Sequence, residues 1–258
     1  MRKWLGATFY TSRQQHGDLS LVVKRFPRRD DAPDGPTFVL VHGIGVSSRY
    51  FQPLASELAR SGRVFLVDLP GYGAAPNPRR AVTIADHAEV LAAFLERTSI
   101  ENPVLVGHSW GSQVVSTLAI EHPDITDTIV LMAPTLPPTA RTFWTAFGHL
   151  MHDSLREPPL VFGIAFTDYV LRCGINYLLH QVPYMLADRM ERRLGSLRAR
   201  VLIINGDRDP IVDSTWARQL TQLGGSYEFR EVRGPHVIMH TDPVMIAEHI
   251  VEFSERSG

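Results

Sequence analysis

Ser109 stands between two glycines in Val-Leu-Val-Gly-His-Ser-Trp-Gly, residues 104–111. A serine placed this way has the local geometry for nucleophilic chemistry. Pro103 precedes three apolar residues, two of them β-branched, which predicts a strand buried on both faces. From Trp110 to His122 the residues Val114, Val115, Leu118 and Ala119 recur at helical spacing and Pro123 ends the run, so a helix is expected at once. A strand that turns straight into a helix strains the residue at the bend and crowds its neighbours two positions away. Gly107 and Gly111 relieve that crowding. The bend would hold Ser109 Oγ clear of the sheet, facing the free N–H groups and the positive dipole end of the new helix.

The Gly-His-Ser-Trp-Gly string matches the Gly-x-Ser-x-Gly nucleophile elbow, and on it the chain resembles the α/β-hydrolase family. The likeness extends along most of the chain. The apolar run Thr37 to Val41 ends in His42-Gly43-Ile44-Gly45, and in the family a His-Gly pair here begins the loop that supplies one oxyanion-hole N–H. The resemblance assigns that N–H to Ile44 and the second to Trp110. Gly206-Asp-Arg-Asp-Pro-Ile-Val212 is similar to the family's Gly-x-x-Asp-x-x-Val segment, which puts Asp209, not Asp207, in the position of the triad acid. The alternative placement, at Met132-Ala133-Pro134, has no acid. Pro235-His236, with Pro243 seven residues on, matches the register of the family's histidine, with Thr241 and Asp242 where an acidic residue is usual. His240 competes with His236, but it falls where the last helix is being set up. Asp68, in Asp-Leu-Pro-Gly-Tyr-Gly, belongs to a string common in the family and is expected to satisfy loop backbone.

Ser109, Asp209 and His236 follow the order nucleophile, acid, histidine that the family requires. A serine hydroxyl is a weak nucleophile at neutral pH, so His236 Nε2 is expected to take its proton, with Asp209 accepting from Nδ1 and fixing the tautomer. The resemblance implies an ester hydrolase with water as second substrate and no cofactor. Hydrolases of carbon–carbon bonds in ring-fission products share the triad, but the relevant relatives often carry Trp after the histidine, where this chain has Val237. Proline-releasing peptidases can share Ser-Trp-Gly-Ser, present here as Ser109 to Ser112. A receptor that retains the triad is the reading outside enzymology.

The elements that position these residues alternate. Strands are expected over Leu19–Phe26, Thr37–Val41, Val64–Leu69, residues 104–106, Thr128–Met132, Val201–Asn205 and Tyr227–Val232, and helices over Ser47–Ser61, Thr83–Thr98, Trp110–His122, Thr215–Leu223 and Met245–Phe253. Thr83 with Asp86 three residues on predicts a capping box. The alternation implies a doubly wound, mostly parallel sheet, eight-stranded as in the resembled family, with the serine at the carboxyl end of a central strand. It stops after Pro134. Residues 135–196 offer helical patterns broken by Pro137-Pro138, Pro158-Pro159 and Pro183 and rich in aromatics such as Phe143, Trp144, Phe147, Phe166, Tyr177 and Tyr184. They are expected to form a helical cap inserted after the sixth strand, with residues 1–134 and 197–258 as the two parts of the core.

With 26 basic and 27 acidic residues among 258, the net charge is −1, which gives no electrostatic case for nucleic acid or an anionic surface. The apolar cap segment points to a small or medium, largely uncharged ester. Cys173 is the only cysteine, so no internal disulfide forms and the thiol is expected to be buried and idle. His149, His152 and His180 lack carboxylates at ligand spacing, and no metal is expected. No signal peptide or membrane-length apolar run is evident, so a cytoplasmic location is expected; separately, the chain is expected to be a monomer or homodimer.

Overall fold

The computed structural model describes residues 2–4, 7–26, 35–142, 145, 148, 163, 164 and 167–256. Its centre is a nine-stranded sheet: β1 (Arg2–Trp4), β2 (Ala7–His16), β3 (Leu19–Phe26), β4 (Thr37–Val41), β5 (Arg63–Asp68), β6 (Val104–His108), β7 (Thr128–Met132), β8 (Arg200–Gly206) and β9 (Tyr227–Val232). The spatial order is β1-β2-β3-β5-β4-β6-β7-β8-β9. Strands β4 to β9 run parallel, while β2 and β3 are antiparallel additions at one edge.

The eight-stranded sheet expected from the sequence is β2 to β9, and the three-residue β1 extends it antiparallel to β2. The sequence patterns left β2 unmarked for a physical reason. Tyr10 to Arg13 are exposed, so the strand carries almost no buried stripe, and its stability comes from seven residue pairings with β3. By contrast β4, β6 and β7 are buried at every position, as parallel strands covered on both faces must be.

Side chains alternate across the pleat. Val39, Val41 and Leu105 point to one core with helices α2 (Ile84–Arg97), α3 (Trp110–Glu121) and the helix at Ser214–Leu220 packed on that face; Phe38, Leu40 and Val106 point to the other, with α1 (Gln52–Leu58). Helix α2 opens with the expected box: the Thr83 hydroxyl accepts from Asp86 N–H while Asp86 accepts from Thr83 N–H at 2.7 Å.

Leaving β4, the chain goes outward to β5 and then returns across to β6 on the other side of β4. That reversal sets the ends of β4 and β6 side by side, and such a switch point opens the crevice in which parallel sheets bind ligands.

Between β7 and β8 the described residues contain no strand. They include a wide helical turn at Asp168–Cys173 and helices α4 (Ile175–Ala187) and α5 (Met190–Leu194). Pro183 does not break α4 but sits within it. Only one backbone N–H is lost there, and the residues before it complete two turns that keep the helix in register. Phe143, Trp144, Phe147, Phe166, His149 and His152 lie outside the described residues. After β8 follow α6 (Ser214–Leu220), α7 (Ile238–Thr241) and α8 (Pro243–Glu255), the last packed against α1 on the second face. No helix of the described residues is long and apolar enough to cross a membrane.

Candidate active site

Strand β6 ends at His108 and α3 begins at Trp110, leaving Ser109 alone in the bend. Its φ of 52° and ψ of −122° lie where side-chain-bearing residues are rarely found, at a cost on the order of 1–3 kcal/mol that the surrounding structure must sustain. Ser109 N–H donates to Met132 C=O at 2.9 Å, tying the bend to β7. The two glycines are sterically required. A Cβ on Gly107 would sit 2.6 Å from the Gly111 carbonyl oxygen, and one on Gly111 would sit 2.3 Å from that of Val41.

The loop after β4 lies directly against this bend: a Cβ on Gly43 would be 3.4 Å from Ser109 Cβ. Two histidine-mediated contacts hold the loop. His42 Nε2 accepts from Leu69 N–H at 3.1 Å, so the proton is on Nδ1, which donates to Gly43 C=O at 2.7 Å. Complete burial lowers the His42 pKa and keeps the ring neutral, as this pairing needs. Gly43 N–H is itself taken by the Tyr50 hydroxyl at 2.8 Å, so the next N–H along the loop is that of Ile44, which is partly exposed. Trp110 N–H opens α3 on the other side of the bend.

His236 and Asp209 come together. His236 Nδ1 lies 2.8 Å from Asp209 Oδ2, with both side chains buried. A carboxylate only accepts, so Nδ1 carries the proton and Nε2 is left as the basic nitrogen. The other Asp209 oxygen accepts from the N–H groups of Ile211 at 2.7 Å and Val212 at 3.0 Å. His240 lies on α7, and both Asp209 oxygens are engaged elsewhere. Asp207 has another job: its Oδ1 accepts from Gly234 N–H at 2.9 Å and so joins the loops after β8 and β9. Asn205 braces the acid's loop from below through Nδ2, which donates to Val212 C=O at 2.9 Å.

The His236 loop reaches the bend through the residue before the serine. His108 Nε2 is 3.1 Å from His236 C=O, and the two rings are 4.7 Å apart. No motif in the sequence marks Tyr50, His108, Asn205 or the tie that Asp207 makes between two loops. Position 108 is the unconstrained second letter of the elbow motif, and Tyr50 lies 58 residues away, so no spacing pattern links them.

Asp68 is buried at the end of β5 and fully occupied: it accepts from Lys24 Nζ at 2.8 Å, from Ser48 N–H at 2.9 Å and from Ala74 N–H at 3.0 Å. Burial alone would raise its pKa, but the Lys24 ammonium and the Ser48 hydrogen bonds outweigh it and hold the carboxyl below its ordinary range. Asp168, also buried, accepts from Ser47 Oγ at 2.6 Å and pairs with Arg49 at 3.0 Å, linking the segment after β7 to the loop after β4. Cys173 is buried and its pKa is pushed up to about 12, which leaves no thiolate at neutral pH.

A family model described as the alpha/beta hydrolase fold matches residues 36–163. The chain belongs to the α/β-hydrolase superfamily. Its fold is similar to that of a hydrolase from Pseudomonas aeruginosa PA01, with a TM-score of 0.81 at 16% identity over 95% of this chain and 98% of that one. It is also similar to the esterase RhEst1 from Rhodococcus sp. ECU1013, with a TM-score of 0.73 at 20% identity over 97% and 99% of the two chains. In sequence it is 26% identical over 172 residues to the probable lysophospholipase BODYGUARD 4 of Arabidopsis thaliana, covering 63% of this chain and 40% of that protein. The chain thus spans well under half the length of that plant relative.

Proposed function

We propose that this α/β-hydrolase is a serine hydrolase of carboxylic esters, with Ser109 as nucleophile, His236 as general base and acid, and Asp209 as the residue that orients it. The observation that carries the proposal is the 2.8 Å contact between His236 Nδ1 and Asp209 Oδ2, in loops joined to the Ser109 bend. His236 Nε2 takes the Ser109 proton as Oγ attacks the acyl carbon, and the Ile44 and Trp110 N–H groups hold the oxyanion. His236 then protonates the leaving alcohol. Water, deprotonated by His236, attacks the acyl-serine, and collapse of the second tetrahedral intermediate releases the acid and restores Ser109. The elbow, the neutral His42 bridge and the occupied Gly43 N–H all support this assignment.

Residues 135–196 are proposed to cap the serine. Supporting this, Tyr177 Oη donates to Pro70 C=O at 2.9 Å and Gln113 Nε2 to Met185 C=O at 3.1 Å, so α4 lies across the loops at the carboxyl edge of the sheet. A roof of this composition fits a largely uncharged, small or medium ester. The esterase and lysophospholipase relatives are consistent with that bond class.

The test is turnover of p-nitrophenyl esters of increasing acyl length by the purified chain and by Ser109→Ala, with a fluorophosphonate probe of the serine. The expected result is repeated turnover that the substitution removes, by about a million-fold if the triad acts as a unit. Labelling of Ser109 without repeated ester turnover would replace the ester by another acyl bond class, and absence of labelling would refute the nucleophile.

A further inference from the structure

Three loops that meet at Ser109 come from β4, β6 and β9, and a single line of hydrogen bonds runs through them. Its polarity follows from donor and acceptor accounting. Gly43 N–H only donates, so the Tyr50 oxygen accepts it at 2.8 Å. His236 C=O only accepts, so His108 Nε2, at 3.1 Å, carries the proton. Neutral imidazole has one N–H, which makes His108 Nδ1 the acceptor of the Tyr50 O–H at 2.8 Å. Burial, and after it the neighbouring His236, holds the His108 pKa well below its ordinary value. Tyr50 and His108 are 2% and 3% exposed, so water does not compete for these bonds.

We propose that Tyr50 and His108 are positioning residues that lock the oxyanion loop and the His236 loop into one register, a role that rests on the ester hydrolysis proposed above. Tyr50 holds Gly43 N–H away from the bend and so selects Ile44 as the loop's free donor. His108 fixes the carbonyl of the residue whose ring must reach both Asp209 and Ser109. Because His108 stays neutral, it adds no positive charge beside His236 when that ring becomes a cation during turnover. The histidine in the elbow is thereby more than a spacer between glycine and serine.

The decisive measurement is the tautomer of His108 in the ¹⁵N-histidine-labelled full chain. The expected result is Nε2–H with an unprotonated Nδ1 from about pH 8 to about pH 5, and an Nδ1–H tautomer or a charged ring would overturn the relay. Tyr50→Phe and His108→Phe are expected to lower kcat by about 10- to 100-fold with KM changed less than about threefold, since misplacement of catalytic groups costs turnover more than binding. Their losses should not add in the double variant, and His108→Gln, which can still accept and donate, should recover most of the rate. The His236 Nδ1–H resonance should move in Tyr50→Phe. Folded variants with unchanged kcat and an unmoved resonance would refute the proposal. If Tyr50→Phe does not fold, the wild-type tautomer and His108→Gln decide. The expected tautomer in a wild type that turns over no ester would sink the hydrolysis reading and leave the relay standing.

Discussion

Two aspartates sit buried at the carboxyl edge of the same sheet, Asp68 at the end of β5 and Asp209 just past β8, and their surroundings differ in one respect. Asp68 is saturated by the Lys24 side chain and by loop groups from Ser48 and Ala74. Asp209 gives one oxygen to loop N–H groups and keeps the other for a histidine. A buried carboxylate paired with Lys24 has no protonation change to offer near neutral pH. A carboxylate paired with an imidazole stabilises that ring whenever it takes a proton. Burial and position alone therefore do not distinguish an acid tied into the scaffold from one that can serve a base; the partner does.

The two acids should differ most at Asp209. Asp209→Asn keeps the oxygen that accepts from Ile211 and Val212 but can present an amide N–H to His236 and favour the wrong tautomer. Its kcat for an ester is expected to fall about 10⁴-fold while the urea unfolding free energy changes by about 1 kcal/mol or less. A variant with near-normal turnover would remove Asp209 from the mechanism. Asp68→Asn should show the reverse. It leaves the buried Lys24 ammonium without its counter-charge, which typically costs about 3–5 kcal/mol of stability, while kcat per folded molecule stays within about threefold. If Asp68→Asn lost turnover without losing stability, the contrast between the two acids would be wrong.

Among the buried histidines, too, surroundings set the protonation state. His87, fully buried edge-on against Trp110, has its pKa lowered to about 3 by burial. Between that value and the unfolded value near 6.5 the unfolded chain binds the extra proton, so stability falls as pH drops through this window. His42 and His108 act in the same direction. Going from pH 7 to pH 5, His87 should account for about 2 kcal/mol of lost stability, and His87→Phe should lose that much less over the same interval in urea titrations. An unchanged pH slope in the variant would show that His87 is not held neutral in the folded state.

Much of the architecture was legible because its signals are local. β3, β4, β7 and β9 begin and end where the residue pattern of each strand does, and the Thr83 capping box is a property of four residues. The strained bend at Ser109 was foreseeable because Gly-x-Ser-x-Gly records a steric requirement, seen here as the sub-3 Å approaches that a Cβ on Gly107 or Gly111 would make. β2 escaped notice because hydrogen bonds to β3, not a buried stripe, hold it in place. Pro183 misled for the opposite reason: it is a strong local signal that the helix around it absorbs.

By itself, then, the amino-acid sequence determined what backbone sterics and periodic burial can encode: the parallel sheet, the elbow, and the order of serine, acid and histidine along the chain. Only the tertiary structure decided which side chains share a proton. Lys24 meets Asp68 across 44 residues, Asp209 meets His236 across 27, and Tyr50 meets His108 across 58. Hydrogen bonds have a range of about 3 Å and no memory of separation along the chain, so a pairing of this kind leaves no periodicity in the sequence and is set when the β4, β6, β8 and β9 loops are brought to one edge.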